Sequence, residues 1–144
     1  MLIELIAAIT ILLVLTTLAL PLARNQIIRG RETRLHEDLR MMRDAIDRYK
    51  ADSDNGRIPV KLDTFGYPSD LQTLVDGVQA KGSLKGKYKY LRRIPVDPLT
   101  GNTDWGLRSV QDDTDSKSWG GQNVFDVYTK GQGTALDGTQ YEDW

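Results

Sequence analysis

The chain begins with 23 residues that are almost entirely apolar and carry one charged side chain, Glu4. The run reads MLIELIAAITILLVLTTLALPLA, and as an α-helix it would extend about 35 Å, enough to cross the hydrocarbon core of a bilayer. A cleaved signal peptide is disfavoured, because no basic residue precedes the run and no clear cleavage site follows it. We therefore expect the segment to remain on the protein as a membrane-length helix.

A second hydrophobic pattern follows the apolar run and has helical periodicity. Apolar residues recur three or four positions apart, and the positions between them are mostly charged. The apolar stripe comprises Ile27, Ile28, Leu35, Leu39, Met42, Ile46 and Tyr49. The charged face comprises Arg31, Glu32, Arg34, Glu37, Asp38, Arg40, Arg43, Asp44, Asp47 and Arg48.

These two patterns predict one helix of about 50 residues, apolar all round in its first half and amphipathic in its second. Turn-forming residues at 52–56 should end it. Pro21 interrupts the apolar half and predicts a kink or local melting just before it. The chain thus divides into a membrane or filament-core helix segment (1–23), its amphipathic continuation (24–52) and a globular domain (53–144).

The sequence of the globular domain, residues 53–144, predicts short helices and strands separated by turns. Pro68, Ser69 and Asp70 start a short helix over Ser69–Val75, with Gly77 near its end. Alternating or β-rich segments predict strands at Lys85–Leu91, Trp105–Val110 and Asn123–Thr129, with a polar, acidic loop between the last two. The tail from Gly131 to Trp144 is expected to be a loop fastened to the core. The fold class is therefore α+β, a long N-terminal helix packed on a small antiparallel β-sheet.

Composition argues against several classes of function. Nineteen basic and 20 acidic residues give a formal net charge of −1, so we expect no nucleic-acid partner. The absence of cysteine removes disulfides and thiolate chemistry. His36 has no serine and aspartate pattern that indicates a triad, and we expect it to be solvated. The aspartates of the loop at 112–115 do not have EF-hand spacing. We expect a protein that is not an enzyme.

The N-terminal motif LIELIAAITIL, a proline 17 residues after the glutamate and an unbroken charged helix resemble the type IV pilin-like superfamily. Two later segments, YLRRIPVDPLTGNTDW and FDVYTKGQGTALDGTQYEDW, resemble the major pseudopilin, the G subunit of type II secretion systems. Two departures stand out. The glutamate is fourth rather than fifth, and the family's basic leader peptide is not seen ahead of it.

The resemblance implies a pilin-like fold and a subunit that polymerises into a periplasmic pseudopilus for the export of folded proteins. Its implied partners are further copies of itself, minor pseudopilins, an inner-membrane assembly platform and a prepilin peptidase, and its first residue would be methylated. The implied location is the bacterial inner membrane, single-pass, with the soluble domain in the periplasm. Alternatives are a type IV pilus subunit for adhesion, motility or DNA uptake, and a monomeric membrane-anchored binding domain.

The candidate assembly residues are Glu4, Met1 and Pro21. If many copies pack their apolar helices together, each Glu4 carboxylate lies in a low dielectric and needs a cation, such as an α-amino group on the same or a neighbouring helix. A shifted axial register would leave that charge unpaired, so Glu4 is expected to select one stagger. Pro21 is interpreted as a site of helix melting that lets subunits pack and extend.

The resemblance also implies a calcium loop near the C-terminus. Here it offers Asp137 and Asp143, with Glu142 as a further candidate and backbone carbonyls of the Tyr128–Gly133 turn, including Tyr128 and Gly131, completing the oxygen ligands. Ca²⁺ is therefore the one cofactor expected, on a small set of carboxylates.

Overall fold

The computed structural model describes residues 1–82 and 86–144, and within the first helix it describes every side chain except those of Leu18 and Leu20. Helix α1 spans Leu2–Asp54, a length of about 80 Å. The remaining elements are short: a 3₁₀ helix at Leu62–Thr64, α2 at Leu71–Asp76, β1 at Val78–Gln79, β2 at Lys87–Tyr88, β3 at Gly106–Arg108, β4 at Asp126–Tyr128 and a second 3₁₀ helix at Tyr141–Asp143.

The strands form two antiparallel pairs, β1 with β2 and β3 with β4. Val78 pairs with Tyr88, and Leu107 pairs with Val127 at the centre of the second pair. The architecture is α+β, as predicted, but the single small sheet that we expected is two separate two-stranded ribbons in the described part of the chain.

The predicted apolar stripe on α1 forms the core. Leu35, Leu39, Met42, Ile46 and Tyr49 are buried, and they pack against residues from the C-terminal half. The partners include Leu74, Leu91, Trp105, Val124, Val127 and Tyr141. The globular domain is therefore organised around the second half of the first helix.

The predicted strand at Asn123–Thr129 is present as an extended segment, but only three of its residues pair with β3. The Val124 N–H bonds instead to the Pro68 carbonyl, and the Asn123 carbonyl accepts the Ser109 hydroxyl. Hydrogen bonds to loops thus shorten the ladder. Of the strand predicted at Lys85–Leu91, Lys87 and Tyr88 form β2, and Lys85 lies outside the described residues.

Helix α2 begins two residues later than predicted, because Asp70 is its cap rather than part of it. The Asp70 carboxylate accepts the Thr73 N–H at 2.6 Å. Gly77 ends the helix with φ of 81°, a backbone conformation that side chains disfavour. A β-carbon there would also lie 2.8 Å from the Tyr88 carbonyl oxygen, so this turn requires glycine.

Candidate functional site

The candidate assembly surface is the first half of α1. Every described side chain from residue 1 to residue 27 is exposed, and the segment is long and apolar enough to cross a membrane. Its described large apolar side chains are Met1, Leu2, Ile3, Leu5, Ile6, Ile9, Ile11, Leu12, Leu13, Val14, Leu15, Leu22 and Ile27. None of them is part of the core of the globular domain. A surface this apolar requires either lipid or protein around it.

Glu4 and Met1 lie together at the free end of this surface. The Met1 amino group is 3.8 Å from the Glu4 carboxylate, and both groups are almost fully exposed. The carboxylate also lies in the first turn of α1, where unsatisfied N–H groups favour negative charge. The geometry therefore allows the amino group and carboxylate to pair on one helix, and leaves both accessible to a neighbouring helix.

Pro21 lies inside a helix that is continuous from Leu2 to Asp54. The predicted local melting is absent from this single chain. Proline has no N–H to donate, so the carbonyl of Thr17 lacks its usual helical partner. The Thr16 and Thr17 hydroxyls bond to the carbonyls of Leu12 and Val14, one turn towards the N-terminus. Pro21 thus leaves a weak point in an otherwise regular helix.

The second half of α1 is fastened to the globular domain by polar residues that we expected on the solvated face. Glu32 accepts the Leu136 N–H at 2.8 Å and the Tyr141 hydroxyl at 2.9 Å. Arg43 binds the Asp126 carboxylate at 2.7 Å and the Val127 carbonyl at 3.0 Å. These two residues of the charged face therefore contact the globular domain, since the tail lies against Glu32 and β4 against Arg43.

Asp38 was also placed on the charged face, and it is buried, with 6% of its surface exposed. Its Oδ2 atom has no hydrogen-bond partner among the described residues, and the Arg34 guanidinium is 3.8 Å away. Burial raises the pKa of the Asp38 carboxyl, and the charge of Arg34 partly offsets this. The carboxyl lines a cavity of about 520 Å³ whose other walls include Arg48, Arg92 and Arg93.

A buried polar cluster that the sequence reasoning missed lies beneath the Asp97–Asn102 turn. Asp97 is fully buried, accepts the Thr129 hydroxyl at 2.5 Å and also accepts the Leu99 N–H. The Thr129 hydroxyl in turn accepts the Gly131 N–H at 2.9 Å. An aspartate between two prolines in an apolar segment was the available signal for a buried carboxylate.

The structure describes all four residues proposed for calcium. The Asp137 carboxylate accepts the N–H and hydroxyl of Thr139, and Asp143 lies exposed in the last 3₁₀ helix. The ring of Tyr128 lies over Gly106 and beneath the Arg108 guanidinium, and the Gly131 N–H is bonded to Thr129.

Ca²⁺ takes six to eight oxygen ligands. Residues 1–82 and 86–144 contain no group of three or more acidic or histidine side chains that could hold a metal. Calcium, with backbone carbonyls among its ligands, stays a prediction from the resemblance.

His36 is exposed but not free. Its ring stacks on that of Trp144, with the centroids 3.9 Å apart and the planes 15° from parallel. Trp144 also meets the edge of Tyr141 and donates its indole N–H to Thr139. His36 is therefore exposed, as expected, and also contacts the tail, which is fastened to α1 as predicted.

Comparisons with known proteins add no identification at this point. No family model matches this chain, and neither curated proteins nor solved structures gave a match.

Proposed function

We propose that this protein is a non-enzymatic structural subunit that polymerises, through the first half of α1, into a periplasmic pseudopilus filament of a type II protein secretion system. The observation that supports this most is the projection of one apolar, membrane-length half-helix from a domain built around the other half. A simple anchor needs no rigid connection to its domain. Here the same unbroken helix serves as anchor and core, so force on one part is transmitted to the other.

Glu4 would set the stagger between neighbouring subunits. When the apolar helices leave the lipid and pack on one another, the carboxylate enters a low dielectric. An unpaired charge there costs several kcal/mol, whereas a carboxylate paired with an amino group retains most of its stabilisation. The 3.8 Å approach of the Met1 amino group shows that an amino group at this position is within reach of Glu4.

Pro21 would make the helix easier to open locally. The carbonyl of Thr17 has no helical donor because of Pro21, so opening the helix there sacrifices fewer hydrogen bonds than opening it elsewhere. Subunits packed in a filament would then extend locally between residues 15 and 21. The globular domain, which starts its contacts at Glu32, would not be disturbed.

The proposed location is the bacterial inner membrane, single-pass, with the globular domain in the periplasm. The finding behind it is that one N-terminal helix is long and apolar enough to span. Arg24, Arg29, Arg31 and Arg34 follow the span, and by the positive-inside rule basic residues near a span resist export. Periplasmic placement of the domain therefore runs against this charge bias and is proposed on the resemblance.

The test compares protein export in a strain that lacks this gene with export in strains that carry Glu4→Ala or Glu37→Ala. Glu37 is the matched control, because it is an exposed glutamate of the same helix outside the apolar segment. We expect folded cargo to accumulate in the periplasm of the deletion and Glu4→Ala strains only. Membrane insertion of Glu4→Ala is checked by fractionation, since removal of a charge should favour insertion.

Three outcomes would contradict the proposal, each differently. Unchanged export with loss of surface fibres would identify a type IV pilus subunit. Full function of Glu4→Ala would identify a monomeric anchored domain. Equal loss in Glu4→Ala and Glu37→Ala would show that the effect is not specific to the buried end of the filament.

A further inference from the structure

Four arginines surround α1 directly after the apolar segment, at positions 24, 29, 31 and 34, and we call them the basic collar. All four are exposed. Arg24, Arg29 and Arg31 make no hydrogen bond or ion pair with any described residue, and Arg34 only approaches Asp38, at 3.8 Å. Exposed arginines that lack protein partners are available to bind anions from outside the domain.

Within the collar, Arg34 alone approaches an acidic side chain, that of Asp38, and Arg24, Arg29 and Arg31 form no ion pair with a described residue. Glu32 is the one acidic residue between positions 5 and 36. Its Oε1 atom accepts the Leu136 N–H and the Tyr141 hydroxyl, so it faces the globular domain. The charge pairing that neutralises other parts of the helix, such as Lys50 with Asp54, is therefore missing here.

Helix geometry places the collar at lipid headgroups when the apolar segment spans a membrane. Arg29 lies about 8 Å beyond Arg24 along the axis and Arg31 about 10 Å, while the headgroup layer is roughly 5–8 Å deep on each side. Side chains on an α-helix also lean towards its N-terminus, which here means back towards the membrane. Long arginine side chains can thus reach the phosphates from positions 24, 29 and 31, whereas Arg34 lies about 15 Å beyond Arg24 along the axis.

We propose that the basic collar is a binding site for anionic phospholipids, which it recognises by guanidinium contacts to their phosphate groups. Zwitterionic phosphatidylcholine offers the same phosphate beside a compensating cation, so the collar should prefer phosphatidylglycerol. The preference is electrostatic and should weaken as ionic strength rises. This inference requires insertion of α1 into a membrane but does not require a filament.

The experiment uses the full chain carrying Gln26→Cys, which is the only cysteine in that protein and so takes a single donor fluorophore. The labelled protein is reconstituted at one chain per vesicle in phosphatidylcholine, with a trace of acyl-chain-labelled acceptor lipid. We expect energy transfer to labelled phosphatidylglycerol to exceed that to labelled phosphatidylcholine. Each collar arginine replaced by glutamine should reduce this preference by up to about fivefold, and the triple change Arg24→Gln, Arg29→Gln and Arg31→Gln should abolish it.

A matched triple variant, Arg40→Gln, Arg92→Gln and Arg93→Gln, removes the same charge from exposed arginines beside the more distant part of α1. It should retain the preference, and flotation confirms insertion of every variant. If the collar triple variant fails to insert, Arg29→Gln should lower the preference while Arg29→Lys keeps most of it.

Equal transfer to both lipids in the unchanged collar would overturn the proposal. So would equal loss in the two triple variants, because net charge rather than position would then matter. A preference that appears only at many chains per vesicle would show that the arginines pair with neighbouring copies instead. Because dilute vesicles contain no filament, a failure here leaves the pseudopilus proposal intact.

Discussion

The two halves of helix α1 belong to one continuous element and yet are stabilised by different surroundings. Residues 1–27 expose every described side chain, whereas Leu35, Leu39, Met42 and Ile46 are at most 1% exposed. The first half therefore needs contact with lipid or with protein, whereas the second half already packs against the globular domain. A single helix thus carries both an exposed apolar surface and a core element.

The first prediction compares two leucines, one in each half of α1. Leu39→Ala should lower the free energy of unfolding of the globular domain by about 2–5 kcal/mol, because a fully buried leucine loses its packing and leaves a cavity. Leu13→Ala, on the exposed half, should change it by less than about 0.5 kcal/mol. Chemical denaturation of the full chain in detergent, followed by the fluorescence of buried Trp105, measures both.

A large effect of Leu13→Ala on that transition would contradict the division of the helix into two independent halves. It would indicate that the apolar segment folds back onto the domain in detergent. The far-ultraviolet circular dichroism of each variant checks that the helix itself is retained.

The second prediction concerns the buried Asp97 cluster. Asp97→Ala should destabilise the domain by about 2–3 kcal/mol, because the Thr129 hydroxyl and the Leu99 N–H would both lose their acceptor in a buried site. The matched control is Asp104→Ala, which removes an exposed ion pair with Lys130 and should cost less than about 1 kcal/mol. Equal losses of unfolding free energy in the two variants, measured by the same denaturation assay, would show that the Asp97 cluster stabilises the domain no more than an exposed ion pair does.

Sequence reasoning succeeded where periodicity alone determines the outcome. The predicted stripe from Leu35 to Tyr49 is buried, and the helix ends within the predicted turn. Periodicity reports the side on which a residue lies but not what covers that side. Glu32, Asp38 and Arg43 were therefore placed on the charged face, and the pattern did not indicate that the tail and residues 90–96 approach that face.

The remaining misses have the same origin. The strand segments were located, but their pairing depends on contacts between residues far apart in the chain, such as Val124 with Pro68. Local contacts in the tail also come only from the tertiary structure. The resemblance gave Asp137 and Asp143 as calcium candidates, and the structure shows that the Asp137 carboxylate accepts the N–H and hydroxyl of Thr139 in its own turn.

The third and smallest predicted effect concerns Asp38, the buried carboxyl on the second half of α1 that lines the arginine-rich cavity. Burial raises the pKa of Asp38 above its ordinary value of 3.8 in the folded protein. The folded state therefore holds this proton more tightly than the unfolded state. The contribution of Asp38 to stability is fully present below pH 3.8 and is lost as the pH rises through the raised folded value.

Asp38→Asn should accordingly be more stable than the unchanged protein at neutral pH, by less than the Leu39 effect, and this advantage should shrink as the pH falls towards 4. An asparagine has nearly the same shape but no charge to desolvate, so the cavity is not enlarged. Denaturation midpoints between pH 4 and pH 7 measure the difference, and Asp44→Asn controls for loss of an exposed negative charge on this helix. If Asp38→Asn is instead less stable at neutral pH, the Arg34 guanidinium 3.8 Å away outweighs burial. The Asp38–Arg34 pair would then stabilise the folded domain, rather than cost it stability through the burial of a charge.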